Sequence, residues 1–140
     1  MTRPPRHPRG ILDTGAVILL PHLTDASALP EEPLVTAVTL AELSVGPLVA
    51  GNDAQRARRQ AQLQQAEADF DPLPFDADAA RAFGQVAASL RQAGRKPTAR
   101  TYDAMIAAIA IARGLPLYTS NPADFVGIDT LSVVSMPVRG

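Results

Sequence analysis

Short apolar runs alternate with longer stretches of helical spacing along most of the chain. Gly10-Ile11-Leu12 reads as a short buried strand that stops at Asp13, and Thr14 to Leu20 reads as a helix. Leu34 to Val38 is a second apolar strand, set off by Pro30 and Pro33. Thr39 is a candidate N-cap for a helix carrying Leu40, Leu43 and Leu48. Gly46-Pro47 should kink or end it, because proline removes a backbone donor and clashes with the preceding turn. Asp53 to Asp69 is rich in Ala, Gln and Arg and has a thin apolar face, which predicts a largely exposed helix. Pro72 to Phe75 is a short extended piece. From Asp76 onward Ala79, Phe83, Val86, Ala87 and Leu90 recur at intervals of three and four, and Gly94 ends that helix. Thr98 or Thr101 caps the next helix, which runs to about Arg113 and stops at Gly114. Leu117-Tyr118-Thr119 and Ser132 to Ser135 are late strands.

This order predicts an α/β domain with a central, mainly parallel sheet and right-handed crossovers. Met1 to Arg9 reads as a basic, Pro-rich, disordered tail, and residues 10–140 as one domain. The length of 140 residues and an apolar share of 46% suffice for a core without staples. The absence of cysteine excludes disulfides, thiolate metal sites and thiol nucleophiles, and a cytoplasmic location is expected. No apolar run approaches a membrane span, and the stretch after the Arg-rich start is short and broken, so neither membrane insertion nor a signal peptide is expected.

In open α/β sheets, sites form outside the carboxyl ends of the strands. Four acids fall near strand ends or helix starts. Asp13 directly follows an apolar strand, where a carboxylate is costly unless it meets a cleft, a cation or a donor; its ordinary reading is a helix N-cap. Glu42 lies one turn into a helix, and Thr39-Leu40-Ala41-Glu42 alone fits a capping box. Asp103 precedes nine successive apolar residues, Ala104 to Ala112, and so stands at the entrance of a helix buried on nearly all sides. Asp124 sits in a polar turn, with ordinary turn chemistry as its plain reading. Gathered in one cleft, the four would repel one another, and Mg2+ or Mn2+ would be the natural counter-ion for an all-oxygen set. Such a site can polarise a phosphoryl oxygen and activate water for in-line attack. Thr14 and Asn121 are suited to polar support. The basic group Arg91, Arg95, Lys96 and Arg100 leads into Asp103, with Lys96 and Arg100 as candidate contacts to phosphates. Neither His7 nor His22 carries weight as a ligand. The net charge of −1 does not announce a nucleic-acid binder, yet with four acids sequestered the remaining surface is mildly basic.

Ile11-Leu12-Asp13-Thr14, Thr39-Leu40-Ala41-Glu42-Leu43 with Gly46, Asp103-Ala104-Met105-Ile106-Ala107-Ala108, and Thr119-Ser120-Asn121 followed by Asp124-Phe125 together form a familiar series. In order and spacing, from Gly10 to about Ser135, the chain resembles the PIN-domain toxins of prokaryotic toxin–antitoxin systems, the VapC type. The resemblance implies a PIN-like three-layer domain and a Mg2+- or Mn2+-dependent endoribonuclease. It implies a homodimer inhibited by a small cognate antitoxin, in a heterotetramer or larger assembly. By position, Asp13 and Asp103 become the foremost metal ligands, Glu42 and Asp124 complete the acidic site, and Thr14 and Asn121 match supporting positions. The antitoxin surface would include the helix of Glu42 and the segment Asp53 to Asp69. The stretch before the first strand and Pro122 in the last turn depart from the family pattern.

Other readings are a PIN domain that only binds RNA or a partner, and a PIN nuclease of RNA processing or of DNA. Asp13-Thr14-Gly15 is also the signature of aspartic proteases, but that fold is almost all strand, while this chain is Ala-rich and helical.

Overall fold

Four short strands form one sheet in the computed structural model, which describes residues 6–137. They are β1 (Arg9–Leu12), β2 (Glu32–Leu34), β3 (Leu117–Thr119) and β4 (Val133–Ser135). Their order is β2-β1-β3-β4, and every pairing is parallel. Parallel neighbours need crossovers, which helices supply. Helix α1 (Thr14–Leu19) lies between β1 and β2; α2 (Ala37–Val45), α3 (Asp53–Asp69), α4 (Ala77–Gln92) and α5 (Thr101–Arg113) lie between β2 and β3.

Strand side chains alternate between the sheet's faces, and the two cores follow that alternation. Ile11 and Leu117 join Val86 and Leu90 of α4 and the buried run Ile106 to Ala110 of α5. Leu12 and Tyr118 pack on the other side with Ala16 and Val17 of α1, Leu43 of α2 and Ala66 of α3. Both faces are thus covered, as a parallel sheet requires, and the three-layer α/β expectation holds. The Asp-Thr-Gly triplet opens a helix in this largely helical fold, which removes the aspartic-protease reading. Gly10 is needed for close approach: a Cβ there would lie 2.6 Å from the Tyr118 ring. Gly114, with φ of 66°, closes α5 in the left-handed conformation. Among the described residues, no helix is long and apolar enough to cross a membrane.

Four expectations are corrected. Residues Leu34 to Val38 are not one strand: β2 ends at Leu34, and Thr36 bridges to Leu73 before α2 begins. Thr36, not Thr39, caps α2, its hydroxyl accepting from the Thr39 N–H at 3.2 Å. The earlier threonine wins because it is the last extended residue, and it is fully buried where an unmet donor would be costly. Helix α5 has no side-chain cap; the Thr101 hydroxyl instead donates to the Thr98 carbonyl at 3.0 Å, within a turn that Pro97 initiates. Finally, Arg6 to Arg9 are held rather than loose. Arg6 donates to the Leu29 and Pro30 carbonyls at 3.0 and 2.9 Å, and the His7 and Pro8 carbonyls accept from Glu31 and Glu32. The expected tail residues Met1 to Pro5 lie outside the described residues.

Helix α5 carries the core. Ile109→Ala should lower stability by about 2–5 kcal/mol, because the lost burial is compounded by a cavity. Urea denaturation should show a lower midpoint with an unchanged slope.

Candidate active site

The chain leaves β1 for β2 on one side of the sheet and leaves β3 for β4 on the other. A crevice opens at the carboxyl ends of β1 and β3, where the winding direction reverses. Asp13 emerges from β1 at this point. It is only 6% exposed and caps α1, its Oδ1 accepting from the Ala16 N–H at 2.8 Å. The N-cap reading is therefore correct but incomplete, because the same carboxylate also accepts from the Thr119 hydroxyl at the end of β3. That hydroxyl accepts in turn from the Asn121 N–H at 3.0 Å.

Helix α2 brings Glu42 to the same place. With Thr36 as the cap, Glu42 stands in the body of the helix and the capping-box reading falls away. The Thr14 hydroxyl donates to Glu42 Oε1 at 2.8 Å, and Thr39 Oγ1 lies 3.0 Å from Thr14 Oγ1. Thr14 has one proton, so with that proton given to Glu42 the Thr39 hydroxyl donates to Thr14. Asp103 enters from the first turn of α5, where the helix N-terminus favours an anion. Glu42 and Asp103 line an open cleft of about 480 Å³ together with Thr98, Arg100, Thr101 and Tyr102. A groove of about 390 Å³ between α1 and α3 is apolar and contains none of the four acids.

Asp124 comes from the turn Pro122–Phe125. Two arginines of the α4–α5 connection hold this turn. Arg95 donates to the carbonyls of Ala123 and Val126 at 3.1 and 2.6 Å. Arg100 reaches the Asp124 carbonyl at 3.3 Å and its carboxylate at 3.4 Å. The basic group thus grips the acidic turn, while Lys96 is exposed. Asn121 supports the turn through its backbone carbonyl, which accepts from the Asp124 N–H; its side chain is exposed and caps nothing.

The four acids feel one another's charge, although only Glu42 and Asp103 line the cleft itself. Burial pushes the Asp13 carboxyl up; the Thr119 and Ala16 hydrogen bonds oppose, and the charge of Asp124 adds to the rise. Glu42 is raised by burial and, less, by Asp13, against the Thr14 hydrogen bond. Asp103 is pushed up to about 6, by burial first and then by Asp124, Glu42 and Asp13, with Arg100 opposing. Among the described residues, no three acidic side chains are drawn together at metal-ligating spacing.

A PIN-domain family profile matches residues 11–130. The chain belongs to the PIN-domain family. It is 38% identical to Ribonuclease VapC5 of Mycobacterium tuberculosis, over 91% of this chain and 93% of that one. The toxin–antitoxin structure VapBC-5 from the same organism superposes with a TM-score of 0.78 at 36% identity, covering 92% of this chain and 99% of that chain. DNA-bound VapBC from Salmonella typhimurium gives 0.71 at 26% identity, over 89% and 96%. The described PIN domain resembles the VapC type, as its motifs imply.

Thr39 and Thr119 were absent from the residues singled out for the site, although both lie in the quoted motifs. Their signal is a hydroxyl at a position the pattern buries. Arg95 was read only as part of a basic group, because its carbonyl partners lie far along the chain.

The raised Asp103 fixes a pH dependence. The folded state binds this proton more tightly than the unfolded chain, so stability falls as pH rises from the model-peptide value of 3.8 to about 6 and is flat above. Asp103→Asn should raise the melting temperature of the metal-free protein at pH 7.5 and flatten its change between pH 4 and 6, as roughly the Asp103 share of that slope. Differential scanning fluorimetry across this range checks it.

Proposed function

We propose that the protein is the toxin of a toxin–antitoxin pair, a divalent-metal-dependent endoribonuclease whose acidic site comprises Asp13, Glu42, Asp103 and Asp124. The observation that supports this is that Asp103, at the start of α5, feels the charges of Asp13, Glu42 and Asp124, which come from three other segments of the chain. The relatives named as ribonucleases and as toxin–antitoxin complexes support the activity and the partner.

The donor chemistry suits Mg2+ or Mn2+: the ligands are hard oxygens, and sulfur and imidazole are missing from the cleft. Mg2+ keeps several waters and takes only one or two carboxylates directly, so an open group of acids suits it better than a closed cage. Asp13 and Asp103 are the foremost direct ligands, with Glu42 and Asp124 completing the set. When bound, the ion supplies the charge that polarises a phosphoryl oxygen and acidifies a water for in-line attack. The chain's own part is orientation. Thr14 and Thr39 fix Glu42, Thr119 and the start of α1 fix Asp13, and Arg95 with Arg100 fixes the turn of Asp124. Lys96 and Arg100 are the candidate phosphate contacts. A small antitoxin would neutralise the toxin by covering α2 and the exposed face of α3, next to the exposed Leu48 and Val49.

Asp13→Asn and Asp103→Asn should each abolish Mn2+-dependent cleavage of RNA and growth inhibition, with circular dichroism unchanged. Thr14→Val should reduce activity about 10- to 100-fold, as loss of an orienting partner does. Full activity in both Asp variants would reject the site. Growth rescue by the neighbouring small reading frame separates a toxin from an RNA-processing nuclease.

A further inference from the structure

The chain has six aromatic residues, four Phe and two Tyr. Five are buried or half-buried, and Tyr102 alone is exposed, at 52%. A large ring left half in water presents apolar surface to solvent. Its position is specific: Tyr102 lies in the first turn of α5 directly before Asp103 and lines the cleft that holds Glu42, Asp103 and Arg100. The other lining groups, Thr98 and Thr101, are polar. This is one aromatic face in a wet, polar cleft beside the acids, not the continuous apolar patch that a protein helix needs.

We infer that Tyr102 is a stacking platform for one base of a single-stranded RNA, the base that flanks the phosphate held at the acidic site. The inference rests on the ribonuclease reading above and adds a substrate contact to it. Single-stranded nucleic acid is held by aromatic faces beside groups that take the backbone, and every base has a π-face that can stack. One ring next to the acids fixes the register of one nucleotide against the reacting phosphate. It also requires that nucleotide to be unpaired, since a base stacked within a duplex cannot lie on the ring.

The test uses the full chain carrying Asp13→Asn, which binds without cutting, and a fluorescein-labelled single-stranded RNA in Mn2+, read by anisotropy. Tyr102→Ala in that background should weaken binding about 5- to 150-fold, the range of one base–aromatic stack, and Tyr102→Phe should restore it. An abasic site moved along the RNA should reproduce the loss at one position only. At that position Tyr102→Ala should add nothing further. In the active protein, Tyr102→Ala should raise KM by a similar factor. Unchanged RNA affinity on Tyr102→Ala, or abasic losses additive with it at every position, would overturn the inference. So would an effect confined to antitoxin binding or self-association, which would make Tyr102 a protein contact. Failure of the wild-type chain to cut RNA at all would instead strike the ribonuclease reading.

Discussion

Burial of carboxylates is the constraint felt most at the carboxyl ends of this sheet's strands, for it is the leading cause that raises Asp13, Glu42 and Asp103. Parallel strands with crossovers on both faces end side by side, and the chain must pass from strand to helix there. Asp13 stands at the end of β1, Thr119 at the end of β3, and Asp103 at the start of the helix that precedes β3. Their backbone positions are fixed by the strand ends and the helix start to which they belong. The carboxylates therefore stay in range of one another, and burial magnifies what each does to the next.

Helix α5 ties this edge of the sheet to the whole molecule. Its run Ile106 to Ala110 is fully buried, so its axis is set by the core against α4. Asp103 and Tyr102, one turn earlier, inherit that fixed axis while facing the cleft. The connection between α4 and α5 serves both ends: Arg95 and Arg100 reach across to the turn of Asp124, so the packing that seats α4 also seats the last acid.

What was legible in the sequence followed from local periodicity and from motifs. The helices of Asp53 to Asp69 and of Asp76 onward, the stop at Gly114 and the strand Leu117 to Thr119 could be read because each is decided by its own residues. The acids could be singled out because each contradicts an apolar neighbourhood. What could not be read depended on contacts between distant segments. Val35 and Val38 look alike in sequence; only the bridge from Thr36 to Leu73 shows where the strand ends and the cap begins. Arg6 to Arg9 look like a loose tail until the carbonyls of Leu29 and Pro30 are in place. Asn121 holds the acidic turn through its backbone carbonyl, a contact that its residue type does not announce.

The choice of threonine as the main support for these acids has a physical logic. A lysine or arginine beside each carboxylate would orient it too, but would cancel its negative charge. A hydroxyl donates one hydrogen bond, fixes one oxygen and leaves the net charge untouched. Thr14, Thr39 and Thr119 do this for Glu42 and Asp13, and the burial of Thr39 and Thr119 keeps water from competing for the bonds. Arg100 is the exception, and its contact to the Asp124 carboxylate, at 3.4 Å and partly exposed, is the weak kind that screening erodes. Orientation of Glu42 and Asp13 thus comes from neutral groups, which leave the negative charge of both carboxylates in place.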